Sequence, residues 1–288
     1  MITLSHQFMS KINISWNKIF PKRRPQSHKG DYGKLFILAG SEGMFGAAIL
    51  CSRGALHVGT GLIRLAIPKK SADIVNIATP EVIVVSGDSV QDLYHQAKKA
   101  NALAIGPGLG ERRELVRELL LNLSSENYPF PIVLDADGLN AFSDTPEAIA
   151  KLKLKLILTP HPGELARLLG KNIEQIQLNR EAVAQAAASL FNAILILKGH
   201  QTVVADALGQ LYINETGNPG MATGGVGDIL TGIIGGLIAQ GIDPWNAAIA
   251  GVHLHGLAGD LAAQDKGECG MTAGDLVDKI AYAIQTHS

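Results

Sequence analysis

Two cysteines in 288 residues, Cys51 and Cys269, are too few for a disulfide framework and have no metal-type spacing with histidine. Both lie among small residues that read as packing, and a reducing, cytoplasmic setting fits them. Aromatic residues make up 5% of the chain, which leaves little on which to stack bases. A net charge of −1 gives no basic face for nucleic acid or for an acidic membrane. The longest apolar run, residues 229–239, is broken by glycines and falls well short of the ~20 residues that span a bilayer. Linkers, low-complexity tracts and breaks in composition are also missing. What remains is a soluble globular chain, 47% apolar, long enough for one large α/β domain or two small ones, and the unbroken composition favours one.

Acidic residues are absent before Asp31, while Lys11, Lys18, Lys22, Arg23, Arg24 and Lys29 make the start of the chain basic. An organelle transit peptide has that composition. A basic arm lying along the body is the favoured reading, kept extended by Pro21 and Pro25. The division expected is an arm over residues 1–28 and a single domain over 29–288.

The richest stretch is residues 214–241. It opens on a run nearly free of large side chains, with Gly217, Gly220, Gly224, Gly225 and Gly227, and continues through Asp228 into an apolar segment of helical length. Glycines let backbone N–H groups approach a phosphate, and the start of a helix adds unpaired donors and the positive end of its dipole. An anion is expected at residues 224–227. Asp228 is then expected as a base held ionised beside transferring phosphoryl oxygens, the competing reading being a plain helix cap.

From residue 35 the pattern alternates. Short apolar strands are expected at 35–39, 62–67, 102–105, 132–134, 156–158 and 194–197, and helices at 47–58, 89–100, 111–121 and 173–191. This is the signature of an open, mostly parallel sheet covered by helices on both faces. The turn G-S-E-G-M-F-G after the first strand is not a dinucleotide fingerprint. The small residues opening the next helix fit either a flat ligand or close packing. Ligands of open α/β sheets bind beyond the C-terminal strand ends, and the polar and glycine-rich clusters at 106–110, 135–140, 159–164 and 198–202 all fall there.

Single residues leave alternatives open. His161, between two prolines, suits a substrate contact or a loop cap. Asp135 and Asp137 suit magnesium or the bracing of a loop. Lys198 suits a phosphate or solvent. His253 and His255 read as packing residues of an apolar helix that follows the Asp243 cap and Pro244.

The motifs H-K-G-D-Y-G, G-P-G-L-G, D-A-D-G-L-N, T-P-H-P-G-E, K-G-H-Q-T and N-P-G-M-A-T-G-G-V-G-D together resemble, in order and spacing, the ADP/ATP-dependent NAD(P)H-hydrate dehydratases of the ribokinase-like superfamily. The resemblance runs from about residue 28 onward. It implies a lyase of metabolite repair that returns the (S) form of hydrated NADH or NADPH (NADHX, NADPHX) to the cofactor, driven by cleavage of ADP or ATP with Mg2+ as the usual aid. It further implies Asp228 as the base and as a hydrate contact, with Ala47, Gly108 and His161 also touching the hydrate. Lys198, Gly199, His200, Gln201 and Thr202, with Gly224, Gly225 and Gly227, would hold the adenine nucleotide. Many relatives carry Thr or Ser where this chain has Val226, so one hydroxyl contact to phosphate is expected to be missing. Epimerisation of the hydrate would fall to a separate protein, and relatives are commonly tetramers. The alternative is a small-molecule kinase of the same fold, of the hydroxyethylthiazole or hydroxymethylpyrimidine type.

Overall fold

After its first residue, strand β1 (Lys34–Leu38) is wholly apolar because both of its faces are covered: Leu35 and Ile37 enter one core, Phe36 and Leu38 the other. In the computed structural model, which describes residues 14–287, this strand is an interior strand of a larger sheet. The remaining strands are β2 (Leu62–Ile67), β3 (Ile83–Ser86), β4 (Ala102–Ile105), β5 (Ile132–Leu134), β6 (Leu156–Leu158), β7 (Ile194–Leu197), β8 (Val203–Ala205) and β9 (Leu211–Ile213). They form one sheet of nine strands in the order β3-β2-β1-β4-β5-β6-β7-β8-β9. Pairing is parallel from β3 to β7 and antiparallel for the β7–β8 and β8–β9 pairs.

The helices are α1 (Trp16–Ile19), α2 (Phe45–His57), α3 (Ala72–Ala78), α4 (Val90–Ala97), α5 (Arg113–Ser125), α6 (Ala136–Asn140), α7 (Glu147–Lys151), α8 (Pro162–Leu169), α9 (Ile173–Leu178), α10 (Arg180–Phe191), α11 (Val226–Ala239), α12 (Pro244–Lys266) and α13 (Ala273–Gln285). One core joins α2, α11, α12 and α13 to one face of the sheet; the other joins α4, α5, α8 and α10 to the opposite face. The expected α/β architecture is what forms. Strand order reverses between β1 and β4, and such a switch point opens a crevice beyond the C-terminal strand ends.

Several expected boundaries move. The helix expected at 173–191 is two helices, because Asn179 leaves the helical region and its side chain accepts from the Ala182 N–H to start α10. The helix expected at 111–121 begins at Arg113 and runs on to Ser125. Strands β3, β8 and β9 and helices α1, α3, α6, α7, α8 and α13 escaped the sequence reading.

The basic start of the chain was read as an arm, and residues 1–13 of it lie outside the described residues. Beyond them, Ile19 is buried and Trp16 stacks on His287 with ring centroids 4.0 Å apart. The Arg23 guanidinium covers the Tyr32 ring and donates to the Gly59 carbonyl at 2.8 Å. Among the described residues no helix is long and apolar enough to cross a membrane.

The small residues midway along α2 serve close packing, while Gly46 at its start has open space beside it. A Cβ on Gly232 of α11 would overlap the Cys51 carbonyl of α2, and one on Gly54 would lie 2.5 Å from the Ile229 carbonyl oxygen. Gly235 faces the sheet in the same way, against Leu35 and Ala104. Backbone clashes of this kind are relieved only by moving a helix, so Gly232→Ala should destabilise the fold by about 3 kcal/mol or more. Gly224→Ala, in open space, should change stability by less than about 0.5 kcal/mol. Chemical denaturation of the two variants beside the parent checks the contrast.

Candidate active site

Helix α11 starts where the glycine run ends. Gly225 is its N-cap with φ +91°, a conformation that glycine adopts without strain, and Val226 and Gly227 form its first turn. Asp228 is therefore the third helical residue and not the cap. Val226 turns its side chain into the core, and its carbonyl oxygen lies 2.9 Å from His255 Nε2 of α12. Burial drives the His255 pKa down to about 4, so the neutral ring donates this bond and holds the first turn in place. His255 is a buried residue, as the sequence suggested, and it also steadies the loop.

A cavity of about 910 Å³ opens between the turn at 198–202, the loop at 214–224, the first turn of α11 and the side of α12. Lys198, Gly199, His200, Gln201, Thr202, Gly224, Gly227 and His161 all line it. The turn keeps its shape through Thr202 Oγ1, which donates to the Gly199 carbonyl at 2.9 Å, and through Arg180, which donates to the Leu197 carbonyl at 2.9 Å. Asp260 of α12 anchors the loop, accepting from the Gly217 N–H at 2.9 Å and from the Asn218 amide at 3.0 Å. A second, polar pocket of about 290 Å³ lies by the C-termini of α2 and α3, at the opposite edge of the sheet, and contains none of the expected residues.

Ala47, Gly108, Gly225 and Asp228 do not line the large cavity. Gly225 packs against Leu50 and Ala273, so its part is conformational. Ala47 and Gly108 meet each other instead. A Cβ on Gly108 would lie 2.9 Å from that of Ala47 and 2.8 Å from the Met44 carbonyl oxygen. They sit at the β1–β4 crevice, since Gly40 after β1 donates to the Pro107 carbonyl at 2.8 Å. Asp228 lies on the α2 side of the first turn, close enough to Cys51, one turn beyond Ala47, to raise that buried thiol's pKa together with desolvation.

Between the two regions is a knot of charge. Lys198 Nζ donates to Asp135 Oδ1 at 2.6 Å and lies 3.8 Å from Glu164 Oε2. Burial works against the ammonium, but Asp135 and Glu164 outweigh it, and the Lys198 pKa rises. Lys198 is thus not a solvated strand-end lysine; it is a paired cation at the cavity wall, its side chain 17% exposed. Asp135 accepts a second bond, from Thr231 Oγ1 at 2.7 Å. Asp137 accepts from the Gly110 N–H at 2.8 Å and from Asn140 Nδ2 at 3.2 Å. Both acids of D-A-D-G-L-N therefore brace the fold.

His161 caps α8 through its own ring: Nδ1 accepts from the Gly163 N–H at 3.0 Å and the Glu164 N–H at 3.4 Å. Glu164 returns the bond, accepting from the His161 N–H at 2.7 Å. An accepting Nδ1 leaves the proton on Nε2. Burial, Lys198 and Arg167 lower the His161 pKa, so at neutral pH the ring is an uncharged donor.

Asp228 corrects the sequence-based expectation. The helix start was expected to keep its carboxyl ionised. Burial and the negative charge of Asp135 instead raise its pKa to about 7, against the opposing pull of Lys198. The group is poised to take up and release a proton near neutrality. Sequence reasoning passed over Thr231, Glu164 and Asp260 as individuals. Thr231 and Asp260 left one signal, a polar residue inside an apolar helix next to a glycine loop.

A family model described as NAD(P)H-hydrate dehydratase matches residues 35–282. The chain is 42% identical to the bifunctional NAD(P)H-hydrate repair enzyme Nnr of Moorella thermoacetica, covering 99% of this chain and 56% of that protein. It therefore spans about half the length of such bifunctional relatives. It is 39% identical to the ADP-dependent (S)-NAD(P)H-hydrate dehydratase of Neisseria meningitidis, covering 98% of this chain and 93% of that one. The crystal structure of the ADP/ATP-dependent NAD(P)H-hydrate dehydratase of Bacillus subtilis, co-crystallised with ATP/Mg2+, superposes with a TM-score of 0.82 at 31% identity over 95% of this chain and 96% of that one. With a family model matching residues 35–282 and relatives and a fold match covering nearly its whole length, this chain belongs to the NAD(P)H-hydrate dehydratase family.

Proposed function

We propose that this chain dehydrates the (S) form of NADHX or NADPHX to NADH or NADPH, driven by cleavage of ADP to AMP and phosphate, or of ATP to ADP and phosphate. One observation carries the reading: Asp228, with a pKa raised to about 7, directly follows Gly227, which lines the nucleotide-sized cavity, and lies near Cys51, one turn from Ala47. The cavity takes the nucleotide. Its phosphates meet the N–H groups of the first turn of α11 and the charge of Lys198. The hydrate lies toward the β1–β4 crevice beside Ala47 and Gly108, and the neutral His161 offers it an Nε2–H donor from the cavity wall.

Asp228 removes the proton of the ring hydroxyl as its oxygen attacks the terminal phosphorus of the nucleotide. A new O–P bond forms, and the bond to the departing AMP or ADP breaks. The lone pair of the ring nitrogen then expels phosphate. Loss of a proton from the adjacent ring carbon to that phosphate restores the double bond. A kinase of the same fold would stop at the phosphorylated product; here the neighbouring nitrogen makes that product short-lived.

Magnesium belongs to the reading as a companion of the nucleotide. Among the described residues no three His, Cys, Asp or Glu side chains converge as a metal cage, and Asp135 and Asp137 are already bonded within the protein. The residues fit an ion carried on phosphate oxygens and completed by water, which would neutralise phosphoryl charge. A homo-oligomer is part of the same proposal, supported by exposed Ile77 and Ile83 at the open β3 edge. So are a cytoplasmic setting and an epimerase that converts the (R) hydrate to the form used here.

The test is recovery of reduced-nicotinamide absorbance from hydrated NADH with magnesium and either ADP or ATP. Asp228→Asn should reduce kcat by about 100-fold or more, and full turnover in that variant would remove Asp228 as the base. In the parent, kcat/KM should be level above pH ~7 and fall about tenfold per unit below it, as the base becomes protonated.

Stability should move in the opposite sense. The folded carboxyl holds its proton more tightly than the unfolded chain does, so the fold has its full stability below the unfolded pKa. It weakens as pH rises through about 7. Asp228→Asn should therefore be more stable than the parent at pH 8, by at most about 4 kcal/mol, with the gain vanishing near pH 4. Denaturation at the two pH values measures it.

A further inference from the structure

Lys198 lies within reach of more than one carboxylate and bonds to the one that the proposed chemistry does not use. Its Nζ is 2.6 Å from Asp135 Oδ1 and 3.8 Å from Glu164 Oε2, and it lies 3.5 Å from the position a Cβ on Gly227 would occupy. That places the ammonium at the first turn of α11, next to the residue that precedes Asp228. Bonded to Asp228, the same ammonium would neutralise the base and turn away from the phosphates.

What fixes its direction is the second oxygen of Asp135. Thr231 Oγ1 donates to Oδ2 at 2.7 Å and lies 3.3 Å from the Gly227 carbonyl oxygen. Thr231 is fully buried and Asp135 is 1% exposed, so water offers neither group a substitute partner. Helix α11 thus carries both the proposed base and the hydroxyl that sets the lysine's partner. Three chain segments, after β5, after β7 and within α11, are registered by two hydrogen bonds.

We propose that Asp135, aligned by Thr231, is a positioning residue that holds the Lys198 ammonium at the first turn of α11 and away from Asp228, leaving the lysine to the transferring phosphate and the base free to accept a proton. The inference rests on the reading of Asp228 as the base. The groups facing Asp228 are Lys198 from the turn after β7, Asp135 and Asp137 from the segment after β5, Glu164 from α8 and Cys51 from α2. Of these Lys198 is the cation, so its placement decides how far the base is neutralised.

The experiment uses the full chain, free of ligand for the titration and with its substrates for turnover. Carbon-13 carboxyl titration, with the Asp228 signal assigned by its loss in Asp228→Asn, gives the midpoint directly, and the pH profile of kcat/KM with hydrated NADH gives it again in turnover. Thr231→Val removes the hydroxyl at nearly constant volume and no charge. It should lower the Asp228 midpoint by about half a unit and kcat by about tenfold, and Thr231→Ser should restore both. Asp135→Asn should move the midpoint further the same way, since it also removes a negative charge that raises the Asp228 pKa. A folded Thr231→Val protein that titrates like the parent overturns the proposal, as does a loss of kcat that Thr231→Ser fails to restore. If Thr231→Val does not fold, Thr231→Ala takes its place, and an unshifted midpoint there overturns the proposal. Shifted midpoints in a protein that converts no hydrate would leave the lysine's placement standing and remove the dehydratase reading. Normal turnover with unshifted midpoints would do the reverse.

Discussion

A buried carboxylate needs a fixed counter-charge, and the chemistry side of this molecule is arranged to meet the need of Asp135. Lys198 leaves water at the end of β7 and finds Asp135 at the end of β5, with Glu164 behind it. Breaking such a pair strands a charge in the interior, which costs several kcal/mol. The strand ends are therefore bound into one relative position, and the turns they carry inherit that precision. A surface pair such as Lys70 with Glu42, exposed on both sides, imposes no comparable constraint.

The helix that delivers Asp228 is positioned from the other side, by backbone contact. Gly232 and Gly236 of α11 let α2 approach until carbonyl oxygens and Cα atoms take the place of side chains. The two helices run against each other directly behind the two ligand regions, so the first turn of α11 has little freedom to shift. Packing sets where the carboxyl stands. Desolvation, with three further acids nearby, sets how it titrates. A pKa near 7 is the result of placing an acid where the fold would be better off without its charge.

Much of this was legible in the chain. Apolar runs such as residues 102–105 fixed the parallel core, and the polar clusters after them marked the ligand edge, because strands buried on both faces must place their polar residues in the turns that follow. The glycine run marked the start of α11 for the same steric reason. What stayed hidden depended on neighbours distant in sequence. Asp135 and Lys198 are 63 residues apart, so no local pattern tells their pair from two solvated charges. The helix-start argument for Asp228 omitted Asp135 and burial, and therefore gave the wrong direction for its proton affinity. Strands β8 and β9, three residues each, are too short to show a period, and Asn179 divides α9 from α10 within what reads as one continuous helical run.

Cys51 gives the arrangement a further property. Its sulfur is fully buried in α2, and both burial and the charges of Asp228 and Asp135 hold the thiol in its protonated form. Oxidants and alkylating agents attack the thiolate, and they must first reach it. The cysteine nearest the reacting groups is therefore protected twice over, while Cys269, which is exposed, stands open to reagents on the outside. Peroxide would mark this protein at its surface well before it reached the machinery within.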